Sequence, residues 1–269
     1  MATRLPKLKK KSVKVKSLYK NKYFKEVQIL KDTIPNWDYI YDTSTDEEER
    51  INQLVRVEVI GQALSEKYAW AIPDARSMKI LRNFSPLIEI GCGKKYWGTL
   101  LENKYNGTVV GFDKVVDSDA WSTVLKGGPS ALKLEEYKNH TLFLCYPDED
   151  SSLAEKCLRH YQGEYVIHVG ELLYTGGTLS YPQAPWGRTS SADFQSTLAI
   201  EFHCVLTASI PRFPFSLDCI SVWKRTQWVE GKDHVLGNDE HGDDLWASIP
   251  VEERLPVDRA APLLAHLLE

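Results

Sequence analysis

LIEIGCGKKYWG, residues 87–98, is the stretch of this 269-residue chain that decides its fold. It begins within an apolar run, residues 86–91, which only Glu89 interrupts, and such a run predicts a buried parallel strand. Gly91 and Gly93 follow one residue apart, and a helical pattern begins at Tyr96. Because glycine permits positive φ angles and lets a ligand approach the backbone, the stretch predicts a binding corner at the carboxyl end of the strand.

Strand and helix patterns alternate beyond that corner. Helices are predicted over Tyr96–Tyr105 and Ser151–His160. The predicted strands are Thr108–Phe112, a weak one near Ala131–Leu134, Thr141–Tyr146, Tyr165–Val169, Glu201–Ala208 and Cys219–Arg225. This alternation indicates an α/β domain whose mostly parallel sheet carries helices on both faces. The last two strands are separated by a proline-rich turn without a helix, which predicts an antiparallel edge.

Another helix is predicted before the corner, over residues 43–68. Hydroxyl residues at 43–45 offer N-caps, and the acids at 46–49 suit the positive end of a helix dipole. Apolar residues then recur at helical spacing, namely Ile51, Leu54, Val55, Val59 and Ala63. Pro73 stops this pattern, and a shorter helix is predicted from Pro73-Asp74 to about Arg82.

A second acid, Asp113, ends the strand after the corner and lies 24 residues beyond Glu89. An ionised carboxylate in that place can accept hydrogen bonds from both hydroxyls of a ribose. The third glycine of a G-x-G-x-x-G dinucleotide fingerprint would fall on Tyr96, and no G-x-x-x-x-G-K-[ST] loop occurs. A nucleotide-dependent oxidoreductase is therefore an alternative that the sequence does not favour.

The E-x-G-x-G of residues 89–93, followed by the acid that ends the second strand, resembles motifs I and II of class I S-adenosylmethionine (SAM)-dependent methyltransferases. The wider pattern is similar to that of a sparsely characterised branch of these enzymes, in YAWAIP at 68–73, YW at 96–97, LFLCYP at 142–147 and DCISVWKR at 218–225. The resemblance covers roughly residues 50–226. It implies a seven-stranded, mostly parallel Rossmann-like methyltransferase sheet with an N-terminal helical extension, and SAM as the cofactor.

The resemblance also implies which residues form the site. Those expected to contact the cofactor are Trp70, Pro73, Glu89, Gly91, Cys92, Gly93, Trp97, Asp113 and Tyr146. Asp113 would hold the ribose, and the others would surround or cover the rest of the cofactor. Asp148, after the LFLCYP strand, is the candidate catalytic residue, because it could orient an amine or accept a proton. The alternative for Asp148 is a helix cap, and Glu171 is a second acid near the same rim.

Lys95 departs from the family pattern, because many relatives have a third glycine there. Its bulk and charge beside a cationic cofactor leave an alternative function open: an inactive methyltransferase-like scaffold that acts as an RNA-binding or assembly factor. Residues 1–25 carry ten Lys or Arg and no acid, interleaved with Leu and aromatic residues, which suits contact with phosphates and stacked bases. The acceptor of an active enzyme stays open among RNA, protein and small molecules.

Composition divides the chain into a basic, partly flexible arm (1–42), a methyltransferase-like domain (43–228) and an acidic, proline-containing extension that ends in a short helix (229–269). The five cysteines form no C-x-x-C pair, which indicates reduced thiols and an intracellular protein of unspecified compartment. The seven histidines lack metal-ligand spacing, so no metal site is expected. No apolar run reaches the length of a membrane span.

Overall fold

The structure is a computed structural model, and it describes residues 21–35, 37, 40, 46–172, 189–214, 216–226 and 260–268. The α-helices of this part are α1 (Lys22–Asp32), α2 (Glu47–Lys67), α3 (Ala75–Asn83), α4 (Tyr96–Tyr105), α5 (Leu153–His160) and α6 (Ala192–Glu201). The strands are β1 (Leu87–Ile90), β2 (Val109–Asp113), β3 (Leu125–Lys126), β4 (Thr141–Cys145), β5 (Tyr165–Gly170), β6 (Phe202–Ser209) and β7 (Cys219–Arg225). Short 3₁₀ helices are Pro129–Lys133, Glu135–Tyr137 and Pro262–Leu267.

The seven strands form one sheet in the order β3-β2-β1-β4-β5-β7-β6. Neighbours from β3 to β5 are parallel, whereas β7 runs antiparallel to both β5 and β6. The predicted Rossmann-like α/β fold is confirmed, and so is the antiparallel edge formed by the last two strands. The register places Glu89 of β1 opposite Gly111 of β2 and Phe143 of β4.

Helices cover both faces of the sheet, which is why every residue of β1 is buried. One core joins Leu87 and Ile220 to residues of α3 and α4. The opposite core joins Ile88 and Ile90 to residues of α5 and α6. Since side chains alternate along a strand, Glu89 lies on the same face as Leu87, towards α4.

The long helix α2 begins close to its predicted start, but it packs through a different face. Asp46 is the N-cap and accepts a hydrogen bond from the backbone N–H of Glu49 at 3.0 Å. The predicted caps at 43–45 lie outside the described residues. Three members of the apolar stripe are about half exposed or more: Ile51, Val55 and Val59. The buried residues are instead Val57, Gly61, Leu64 and Ser65.

The weak strand predicted near Ala131–Leu134 is wrong, because Pro129–Lys133 is a 3₁₀ helix. Proline has no N–H to donate to a strand ladder and suits the first turn of a helix. The apolar residues Ala131 and Leu132 are buried against the sheet without being part of a strand. The neighbour of β2 is the two-residue strand β3.

Helix α6 was not predicted from the sequence, and it occupies the residues immediately before β6. Ser191 caps it by accepting a hydrogen bond from the N–H of Phe194 at 3.3 Å. Phe194 and Leu198, four residues apart, are its buried anchors. Residues 173–188 lie outside the described part of the chain.

The residues before α2 are not all part of a flexible arm, since α1 packs onto the domain. Tyr23, Val27 and Leu30 recur at helical spacing and are buried. Asn21 caps α1, donates to the carbonyl of Pro73 at 2.5 Å and accepts from the Tyr96 hydroxyl at 3.1 Å. Residues 1–20, which carry most of the basic charge, lie outside the described residues.

At the other end of the chain, Ala260 pairs with Leu206 of β6, and the 3₁₀ helix Pro262–Leu267 packs beside α3. Residues 227–259 lie outside the described part. Within the described ranges, no helix has both the length and the apolar character needed to cross a membrane.

Candidate functional site

The predicted corner is a turn whose backbone requires residues that tolerate positive φ. Gly91 has φ +76° and Gly93 φ +51°. The N–H groups of Gly91 and Cys92 donate to the carbonyl of Phe112 at 2.8 and 3.1 Å, which ties the turn to the end of β2. A Cβ on Gly91 would lie 2.8 Å from Leu153 Cδ2, whereas a Cβ on Gly93 would meet no atom within 4 Å. The backbone of Gly93 is therefore bare and open to a ligand.

Glu89 provides a buried acid directly before the turn. The residue is 3% exposed, and no group in the described part of the chain forms a hydrogen bond with its Oε2. Burial raises the pKa of Glu89 to about 8; the nearby Lys95 ammonium opposes this rise, and the Glu102 and Asp113 carboxylates add to it. An unpartnered buried carboxyl costs stability, so Glu89 would gain from a cationic ligand or a hydrogen-bond donor.

Asp113, at the end of β2, fastens the turn. Its Oδ2 accepts from the Gly93 N–H at 2.8 Å, and its Oδ1 accepts from the Val115 N–H at 2.9 Å. A carboxylate has about four acceptor positions, so two stay available for hydroxyl donors. The structure thus brings Asp113 to the glycine turn, as the resemblance implied, and adds an organising role that the sequence did not show.

Lys95 does not extend into the space beside Gly93. It has φ 59° and is 4% exposed, and its ammonium lies 3.2 Å from Glu102 of α4. Its aliphatic stem fills the gap between α4 and β2, where a Cβ on Gly98 or on Gly111 would lie 3.0 Å from its carbons. The side chain that departs from the family pattern therefore lies behind the turn, between the helix and the sheet.

The aromatic and proline residues expected at the cofactor divide between core and rim. Trp97 is 1% exposed and donates from Nε1 to the carbonyl of Ala71 at 3.1 Å, so it packs beneath the turn. Pro73 is buried and its carbonyl serves the N-cap of α1. Trp70 is 45% exposed and lines a small cavity together with Tyr146.

The structure places Asp148, the candidate catalytic residue, at an exposed position with φ 75°. Its Oδ1 accepts from the N–H of Asp150 at 3.2 Å, a local turn contact. Tyr146, two residues earlier, donates a hydrogen bond from its hydroxyl to Oδ1 of another acid, Asp218. The sequence identifies Asp218 only as the start of a strand pattern. Its position directly before the last strand is the signal that could have made it a candidate beside the rim acid Glu171.

Across the described ranges, no group of His, Cys, Asp and Glu could hold a metal ion. No protein-family model matches the chain, and no curated protein matches it in sequence. Two solved structures to which it is similar are an O-methyltransferase from Bacillus cereus in complex with SAH and the N-methyltransferase NodS from Bradyrhizobium japonicum WM9 in complex with S-adenosyl-L-homocysteine. The former has 14% identity and a TM-score of 0.41, and the match covers 73% of this chain and 100% of that one. The latter has 14% identity and a TM-score of 0.36, with 77% and 100% covered.

These similarities are weak, and the fold assignment rests on the strands and the turn themselves. A mostly parallel seven-stranded sheet, an antiparallel edge at β7 and a glycine turn at the end of β1 are the features that the sequence predicts. The chain therefore has a Rossmann-like α/β fold, as the resemblance to class I methyltransferases implies.

Proposed function

We propose that the protein is a SAM-dependent methyltransferase. The observation that carries the proposal is the buried Oε2 of Glu89, which has no hydrogen-bond partner among the described residues, on the strand that leads directly into the turn with the bare backbone of Gly93. SAM bears an ammonium and a sulfonium, so its positive charge suits a carboxyl that has no partner of its own. When bound, SAM would supply a methyl group activated by the sulfonium.

The roles of the protein residues follow from their positions. Glu89 would offset the positive charge of the cofactor, and the open side of Gly93 would let its amino-acid part approach the backbone. Asp113 would accept from the ribose hydroxyls while it holds the turn through Gly93 and Val115. Because Lys95 is paired with Glu102 behind the turn, its charge is partly neutralised and its stem leaves the approach to Gly93 clear. Methyl transfer mainly requires alignment of the acceptor with the methyl group.

Isothermal titration calorimetry with SAM and SAH tests the proposal. We expect binding to the full chain, and a loss of about tenfold or more in affinity for Asp113→Ala. Asp113→Asn should lose less, because its amide oxygen can still accept one N–H. Asp117→Asn, an exposed acid four residues further on, is the matched control and should bind as the unaltered protein does. No heat and no thermal shift with SAM in large excess would overturn the proposal.

An inactive scaffold that binds RNA through the basic N-terminal arm is the second proposal, supported by the ten basic residues among residues 1–25. Filter binding of a generic single-stranded RNA across a salt series tests it, since phosphate contacts give a steep salt dependence. Deletion of residues 1–20 should abolish that dependence. An unchanged RNA affinity after the deletion would rule out the arm as the RNA contact.

A further inference from the structure

A small cavity lies beside the end of β4, one strand away from the glycine turn. Its wall includes Ser65 of α2, Trp70, Tyr146, Phe213 and Ser216. The volume is about 20 Å³, which holds about one water-sized group. Because three aromatic rings surround this space, it admits only the tip of a ligand, and the half-exposed ring of Trp70 offers a surface for the rest.

The polar wall of the cavity leads to Asp218, which is 3% exposed. Its Oδ1 accepts the hydroxyl of Tyr146, and its Oδ2 accepts the hydroxyl of Ser216 at 2.9 Å. Both donors line the cavity. The buried carboxyl is therefore separated from the cavity by two hydroxyl side chains.

Glu171 adds a second buried acid next to the same wall. It is 2% exposed, and its Oε1 accepts from the N–H of Leu217, the residue between Ser216 and Asp218, at 2.6 Å. Its Oε2 is buried, and none of the residues that the structure describes forms a hydrogen bond with it. The exposed Arg212 acts on both acids, because its positive charge lowers the pKa of Glu171 and that of Asp218. An unpartnered anionic oxygen in this place favours a ligand that brings a cation or a donor.

Glu171 and Asp218, called the acidic wall below, lie near the glycine turn. Cys145, the last residue of β4, has a thiol whose pKa is raised by burial and further by the carboxylates of Glu89 and Asp218. In the strand register, Glu89 lies opposite Phe143, two residues before Cys145. Tyr146, which lines the cavity, follows Cys145 directly, so the cavity and Glu89 lie at the carboxyl ends of neighbouring strands.

We infer that the cavity receives the nitrogen of an amine acceptor, with Glu171 and Asp218 as the acids that recognise it. This inference rests on the proposed methyltransferase function and names its substrate class. Two carboxyls favour an ammonium group and repel acceptors that react through an anionic oxygen, such as a carboxylate or a phenolate. The aromatic wall suits the same ligand, because ring faces attract cations.

The transfer balances with these groups. The ammonium of the acceptor would give one proton to the Ser216 hydroxyl, which would pass its own proton to Asp218. The lone pair left on nitrogen would then take the methyl group that SAM supplies, and the electron pair of the broken carbon–sulfur bond would stay on sulfur as a neutral thioether. The product would be the methylated ammonium, and Asp218 would then release its proton to water. Burial raises the pKa of Glu171 to about 7 and that of Asp218 to about 6, so a carboxyl here can exchange a proton near neutral pH.

Titration of three matched probes into the SAH-saturated protein tests the inference: benzylamine, benzyl alcohol and benzoate. We expect benzylamine to bind about tenfold or more tightly than the other two. Glu171→Gln should remove most of this preference while SAH affinity stays within about twofold. Asp218→Asn is the second variant, and Glu47→Gln, an exposed acid on α2, is the control that should change nothing.

The outcomes separate the two proposals. If SAH does not bind the unaltered protein, the proposed function fails. If SAH binds but benzyl alcohol or benzoate binds as well as benzylamine, the amine inference alone is overturned. The same holds if both Glu171→Gln and Asp218→Asn keep the full preference for the amine. Circular dichroism of each variant identifies any that has not folded, and the other variant then decides.

Discussion

Between acid and neutral pH, the unaltered protein should lose free energy of unfolding that the Glu89→Gln variant keeps. The pKa of Glu89 is about 8 in the folded protein, against 4.5 for an exposed glutamate. Between these values the folded state binds more protons than the unfolded state, so the free energy of unfolding falls as the pH rises. At 1.36 kcal/mol per pH unit, the fall attributable to Glu89 between pH 5 and pH 7 is about 2 to 3 kcal/mol. Glutamine cannot ionise and should not show this fall.

Urea denaturation at pH 5, 6 and 7, followed by the fluorescence of the tryptophans, measures the effect. Other buried groups also titrate, among them Glu171, Asp218 and His168, whose pKa burial lowers to about 3. These groups are present in both proteins, so the difference between the two pH profiles isolates Glu89. Parallel profiles would show that Glu89 is already ionised or solvated, and the reasoning on the cofactor site would lose its main support.

Three further predictions concern the same part of the molecule. SAM binding at pH 7 should release a proton from Glu89, because a bound cation lowers the pKa of this carboxyl. Calorimetry in buffers of different ionisation enthalpy detects the release. Binding without proton release would contradict the role proposed for Glu89. Gly111→Ala should cost about 1 to 3 kcal/mol, since its Cβ would lie 3.0 Å from Lys95 Cδ; thermal denaturation measures the loss, and an unchanged Tm would contradict the packing described. Tyr23→Ala should cost about 3 to 5 kcal/mol and expose α1 to limited proteolysis, whereas Lys25→Ala, on the exposed side of α1, should do neither.

The sequence predicted the sheet and the turn well, because both depend on local patterns. Buried parallel strands are continuous apolar runs, and the turn at Gly91 and Gly93 is predicted by glycines, which permit positive φ. The sequence missed what depends on contacts between distant residues. The Lys95 side chain fits between Gly98 of α4 and Gly111 of β2, which leave room for it. The sequence alone does not show that these two glycines face each other.

The acidic wall illustrates the same limit. Asp218 and Tyr146 are 72 residues apart and meet only because β7 inserts next to β5. Asp148, close to Tyr146 in sequence, was the more obvious candidate, yet it is exposed on a turn. Sequence distance to a strand end therefore draws attention to Asp148, whereas the contact between Tyr146 and Asp218 appears only in the folded structure.

The N-cap of α1 has a consequence for any polyanion that the basic segment captures. Asn21 is fastened to Pro73 and to Tyr96, the first residue of the helix that follows the glycine turn. The basic segment that precedes Asn21 is therefore joined to the domain next to α4, the helix that follows the glycine turn. A nucleic acid bound to that segment would be held at a high local concentration beside the domain, and the length of the segment would set that concentration.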